Sequence, residues 1–171
     1  DALGGAPWRN RVLFLTDNDW QLGKRDQINH APCATEVMQR MPGRFEKPLF
    51  LARYPVDDAF IFPGAAKSAF FSAINSGCGW TVYFGHGHQP YITDERFLST
   101  ADNHLFANPQ KPTIMFSMSC SNGAFYESID CSMAKAWLLS ANGGAIAYIA
   151  SPIEEYANAN IRIMSRITFL D

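Results

Sequence analysis

Two residues of this chain have the chemistry of a nucleophile and a base, and each closes an apolar run. The run Trp80-Thr81-Val82-Tyr83-Phe84 stops at Gly85-His86-Gly87-His88. The run Thr113-Ile114-Met115-Phe116-Ser117-Met118 stops at Ser119-Cys120-Ser121-Asn122-Gly123. A free thiol ionises near ~8.5, so little thiolate exists at neutral pH unless a neighbour favours it. An imidazole within reach does so, or takes the proton as attack begins. The glycines flanking His86 allow a tight turn and close approach to a substrate. The backbone N–H groups of Gly87 and Cys120 are then candidates to bind a developing oxyanion, where one donor is worth roughly 3–4 kcal/mol. His86 and His88 share a strand face, which invites a metal reading. No carboxylate, histidine and cysteine set with zinc spacing accompanies them, so neither a metal nor another cofactor is expected. Each motif alone is weak. Their shared position after buried apolar runs is what gives the pair weight.

Something must bring those two run ends together. The apolar segments are short β-type runs separated by helical stretches. Residues 11–16, ending in the polar turn Asp17-Asn18-Asp19, read as a first strand and 47–53 as a second. Residues 80–84, 113–118 and 145–150 read as a third, fourth and fifth. Helices are expected over 31–41, closed by Pro42-Gly43, and from Pro63-Gly64 to Ser76-Gly77. Further helices are expected over 131–141, closed by Asn142-Gly143-Gly144, and from near Ile153. The strand runs are nearly continuous in apolar residues, as in a mainly parallel sheet covered on both faces. The alternation of strand and helix implies the same α/β architecture. The polar connection 89–112 is the longest without a clear strand and is expected to carry a short helix over 93–99. In an open parallel sheet, ligands bind beyond the carboxyl ends of the strands, where His86, Cys120 and Asp17-Asn18-Asp19 all fall.

Composition narrows the function classes. The 171 residues suffice for one domain with a sizeable core, and the chain reads as a single domain over 1–171. Fourteen basic and sixteen acidic side chains leave a formal charge of −2 with no Lys/Arg block, which argues against nucleic-acid or anionic-membrane partners. No apolar run reaches membrane-spanning length. Cys33, Cys78, Cys120 and Cys131 are too few for a disulfide scaffold and form no Cys-x-x-Cys pair. Cys33 and Cys78 read as small buried hydrophobes. The chain stops inside an apolar pattern at 167–171 and reads as a piece of a longer protein.

At these motifs the sequence resembles the gingipain family of cysteine peptidases, which belongs with caspases, legumains and separases. The shared pattern is a strand followed by His86-Gly87, then a strand followed by a small residue and Cys120. Asn122-Gly123 with Phe125, Asp130-Cys131 before a helix, and the strand from Gly143 to Ala147 followed by Ala150-Ser151 resemble the gingipain branch in particular. The resemblance implies a caspase-like three-layer sandwich and a secreted or cell-surface bacterial endopeptidase acting on peptides or proteins. It makes Cys120 the nucleophile and His86 the acid/base, and gives His88 no catalytic role. A third, acidic residue follows the first strand in that family. Here it is Asp17 or Asp19, with Asp19 preferred. Gly23-Lys24-Arg25-Asp26 resembles the segment that supplies a pocket acid in arginine-specific members, so Asp26 is a candidate for binding a P1 Arg or Lys. Glu154, Glu155 and Tyr156 stand where the family builds another pocket wall. The same stretch reads equally as the first turn of a solvated helix, since acids favour helix N-termini. Trp8-Arg9-Asn10-Arg11 and Trp137-Leu138-Leu139 resemble the sortase of the type IX secretion system. The alternatives to an endopeptidase are therefore a sortase (transpeptidase) or a non-catalytic module in a secretion or surface complex.

Overall fold

The computed structural model describes residues 6–18, 20–21, 24–25, 30–41, 49–56 and 62–167. Its strands are β1 (Val12–Thr16), β2 (Trp20–Gln21), β3 (Lys24–Arg25), β4 (Leu49–Phe50), β5 (Trp80–Phe84), β6 (Gly87–His88), β7 (Tyr91–Ile92), β8 (Leu98–Ser99), β9 (Thr113–Met118) and β10 (Ala145–Ala150). Its α-helices are α1 (His30–Gln39), α2 (Gly64–Ser76), α3 (Met133–Leu138) and α4 (Ala157–Ile167). Five strands form one parallel sheet in the order β10-β9-β5-β1-β4. A crossover helix must separate parallel neighbours, which is why the apolar runs alternate with helical stretches.

Helices cover both faces, giving three layers. Alternate residues of each strand point to opposite faces. Val12, Phe14, Val82, Phe84, Phe116 and Met118 pack with Ala34 and Val37 of α1 and Met164 of α4. Leu13, Leu15, Tyr83 and Met115 pack on the other face with Phe70, Phe71 and Ile74 of α2 and Trp137 of α3. Each such large side chain contributes about 1.5–3 kcal/mol on burial. Trp137 sits edge-on to Phe106 and Tyr148, and Trp8 packs over Gly77. Both tryptophans of the sortase-like segments are thus packing residues. No described helix is long and apolar enough to cross a membrane.

Several expectations need correction. Residues 93–99 form no helix. Tyr91–Ile92 and Leu98–Ser99 pair antiparallel around a tight turn, and a 3-10 helix follows at Thr100–Leu105. Ser99 and Asp102 form a capping box there, with the Ser99 N–H donating to Asp102 at 2.8 Å, a spacing visible in the sequence. Of the second strand candidate only Leu49–Phe50 is strand among the described residues, because Leu51–Arg53 turns into a 3-10 helix. α3 is shorter than 131–141, starting after a separate turn at Ile129–Cys131. The last helix begins at Ala157, leaving residues 151–156 as an irregular segment that bends at 152–153. β10 is not buried on both faces: as an edge strand it leaves Ile146 and Ile149 exposed.

Candidate active site

The ladder between β5 and β9 pairs Phe84 with Met118. His86 and Cys120 each lie two residues past that pair, so neighbouring strands deliver them to the same level of the carboxyl edge. The two loops touch through backbone. A Cβ on Gly87 would stand 2.4 Å from the Cys120 carbonyl oxygen and 2.6 Å from Ser119 Oγ. That contact explains glycine at 87 more directly than any need for unusual dihedrals.

Asn122, fully buried, fastens the loops together. Its side-chain amide donates to the carbonyls of His88 and Tyr91, the latter at 3.1 Å. Its Oδ1 accepts from the hydroxyls of Ser117 and Ser119, both at 2.8 Å. Gly123 and Ser121 N–H groups donate to the Ser151 and Ile153 carbonyls at 2.8 and 2.9 Å, pinning the cysteine loop to the segment after β10. Ser121 adopts φ 56°, a left-handed conformation that costs a non-glycine residue energy and so sits beside the thiol as stored strain.

The histidine loop hangs on Asp17. Its carboxylate accepts the His86 N–H at 2.9 Å and the Asn18 N–H at 2.8 Å. The Tyr83 hydroxyl donates to the His86 carbonyl at 2.7 Å. Burial pushes the Asp17 carboxyl up to about 8, against the opposing pull of the His86 N–H and imidazole. Burial likewise drives the Tyr83 hydroxyl well above its ordinary range.

The Cys120 sulfur is held by the main chain of Glu155, a contact that its expected place in a pocket wall did not foretell. The Glu155 N–H donates to Sγ at 3.3 Å, and the thiol faces the Glu155 carbonyl at 3.4 Å. A residue the sequence reading missed is His30, the first residue of α1, 5% exposed, whose ring stands edge-on to His86 with centroids 5.2 Å apart. The only sequence signal for it was a histidine at a helix start.

Two depressions meet at the thiol. One, of about 120 Å³, is lined by His30, Cys33, Phe84, His86, Met118 and Cys120 among others. Cys33 is therefore a half-buried wall residue rather than core, and burial raises its thiol. Cys78 is buried in the core. The other, wider depression, of about 490 Å³, adds Gly87, His88, Asp94, Glu154, Glu155 and Tyr156 around His86 and Cys120. Glu154 and Tyr156 are exposed there. His88 Nε2–H donates to Asp94 Oδ1 at 3.0 Å, and the ring packs against Tyr91. Asp19 and Asp26 lie outside the described residues. No group of three metal-ligating side chains occurs among the described residues.

The sequence that sets a half-buried thiol and a His-Gly loop at one edge of a parallel sheet matches a known family over almost the whole chain. Residues 2–169 fit the model of Peptidase family C25. The chain belongs to Peptidase family C25. This is the gingipain family of cysteine peptidases, as the motif resemblance implies. The crystal structure of the Arg-specific cysteine proteinase gingipain R superposes with a TM-score of 0.71 at 21% identity, over 95% of this chain and 36% of that one. The complex of the Porphyromonas gingivalis RgpB pro- and mature domains gives 0.71 at 20% identity, over 95% and 37%. A structure described as a protease gives 0.60 at 14% identity, over 94% and 32%. These likenesses establish the caspase-like fold. The C25 chain spans about a third of the length of each of these solved chains. No curated protein matches it.

Proposed function

We propose that this C25 domain is a cysteine endopeptidase in which Cys120 and His86 form the catalytic dyad. The observation that supports it is their common level on adjacent strands, with the sulfur already hydrogen-bonded by the Glu155 N–H. The Cys120 proton passes to the His86 imidazole, and sulfur attacks the scissile carbonyl carbon. The oxyanion is bound by the Gly87 and Cys120 N–H groups. Collapse breaks the C–N bond as His86 protonates the leaving amine, leaving an acyl group on sulfur. Water activated by His86 then releases the acid and restores the thiol.

Glu154 and Glu155 stand beside Cys120 in the wider depression and favour a basic substrate side chain, with Tyr156 as an apolar wall. An Arg or Lys preference aided by Asp26, with Asp19 orienting His86, completes the reading carried over from the family. Secretion to the cell surface, a type IX secretion partner and a transpeptidase outcome rest on that sequence resemblance alone.

The test is labelling with acyloxymethyl ketones carrying Arg, Lys or Leu, followed by peptide mass mapping. Modification of Cys120, fastest with the basic probes and absent in Cys120→Ala, is the expected result. A folded protein that leaves Cys120 unlabelled by all three overturns the catalytic reading. Equal rates overturn the basic preference.

A further inference from the structure

The two depressions at the thiol share only His86, Cys120 and Glu155. The wider one lies over the loops that follow β5 and β9. The smaller one enters the layer between the sheet and helices α1 and α4. Phe84 and Met118 belong to the core on that side, Cys33 packs against it, and Asn160 comes from α4. Three of these four residues give apolar walls, and the fourth brings a carboxamide. Asn160 is 6% exposed, and its main-chain N–H donates to the Tyr156 carbonyl at 3.5 Å. Its side chain lines the depression and has no hydrogen-bond partner among the described residues. A carboxamide carries two donors and an acceptor, and a buried one left unanswered is costly.

We propose that the smaller depression is a subsite for an uncharged substrate side chain ending in a carboxamide, Gln or Asn, which pairs with the Asn160 amide. The proposal rests on the dyad assigned above and adds a second recognised residue to the basic one. A volume of about 120 Å³ lies a little under the ~150 Å³ that admits benzene, so a side chain the size of Gln fits and an indole does not. Ser and Thr are too short to fill it. Leu fills it but leaves the Asn160 amide unanswered. A carboxylate or an ammonium gives up its hydration against Phe84 and Met118, at greater cost than a carboxamide. Successive side chains of an extended peptide point to opposite sides. With the scissile bond at Cys120 and the basic side chain over the loops in the wider depression, the residue across that bond points toward α1 and α4. The preferred bond thus has Arg or Lys on its acyl side and Gln or Asn on its amine side.

The test measures binding in Cys120→Ala, which holds a peptide without cutting it. The probes are dye-labelled, end-capped peptides Ala-Ala-Lys-Xaa-Ala-Ala with Gln, Leu, Glu or Lys at Xaa, read by fluorescence anisotropy. The Gln peptide should bind about tenfold more tightly than the Leu peptide, and the Glu and Lys peptides more weakly still. Adding Asn160→Leu, with the fold checked by thermal unfolding, should bring the Gln and Leu peptides level. Cys33→Met, at a half-buried position on the same wall, narrows the space and should weaken the Gln peptide about fivefold. A Leu, Glu or Lys peptide that binds as tightly as Gln overturns the proposal. So does a Gln preference that survives Asn160→Leu, an unchanged Gln affinity in Cys33→Met, or absence of binding by all four peptides. The thiol plays no part in this readout. A protein whose Cys120 labels with the ketone probes but which shows no Gln preference loses the subsite and keeps the dyad.

Discussion

Gly87→Ala tests the idea that backbone contact between two loops sets the distance from imidazole to sulfur. The new Cβ would lie 2.4 Å from the Cys120 carbonyl oxygen and 2.8 Å from Ser119 Cβ. An ordinary contact needs about 1 Å more, and neither neighbour can give way cheaply. The Cys120 carbonyl is main chain, and Ser119 is buried and bonded to Ser117 and Asn122. On its own side Gly87 is paired with Ile92. Overpacking of this kind costs about 1–3 kcal/mol, or roughly 2–10 °C in Tm for a domain of this size. The larger effect falls on chemistry, because a displacement near 1 Å costs about 10²-fold in rate. The assay is the second-order rate of Cys120 alkylation by an acyloxymethyl ketone, alongside thermal unfolding. A variant with native Tm and a labelling rate within about threefold of the parent would refute the contact argument. It would mean that the loops are free to part without consequence.

Cys120→Ala should abolish turnover and labelling while leaving Tm within a few degrees, since the thiol sits at a strand end; measurable peptide cleavage by the purified variant would sink the nucleophile assignment. Asn122→Ala removes the acceptor shared by the Ser117 and Ser119 hydroxyls, which keep each other at 2.8 Å, and strands two loop carbonyls, so it should destabilise by about 2–4 kcal/mol in denaturant titration and slow labelling at least tenfold. Asp17 sits at about 8 in the fold against an ordinary ~3.9, so the native state keeps a proton that the unfolded chain has lost. Its contribution is full below about pH 4 and is lost as pH rises toward 8. Unfolding free energy should decline across that window and flatten above it, and Asp17→Asn should remove most of the slope. An identical slope in that variant would refute the assignment.

The strands of the central sheet were legible because buried parallel strands need nearly continuous apolar runs, as at 12–16, 80–84 and 113–118, and the run 145–150 keeps that pattern although it forms a half-exposed edge strand. The helix starts and stops at Pro63-Gly64 and Gly77 were legible for an equally local reason: Gly77 takes φ 98°, which other residues avoid. His86 and Cys120 followed from both, since residues just past buried strands gather at one edge of a parallel sheet. What escaped the sequence depended on contacts between distant segments. Glu155 reaches the thiol through its main chain, and a main-chain donor has no residue type to betray it. His30 meets His86 only because α1 packs over β1 and β5. Glu95 reads as an ordinary loop carboxylate until the β7–β8 turn buries it. The helix expected at 93–99 failed for the same reason. Thr93 and Arg96 adopt a backbone that local propensity disfavours, and the bond to the His86 carbonyl in the preceding loop, with the Phe97 N–H bond inside the turn, supplies the compensation. Local pattern therefore determined the sheet and the delivery of His86 and Cys120 to one edge of it, because burial and turn chemistry act within a few residues. The tertiary structure alone decided which carboxylates, main-chain donors and ring surround them, because charge and burial act through space.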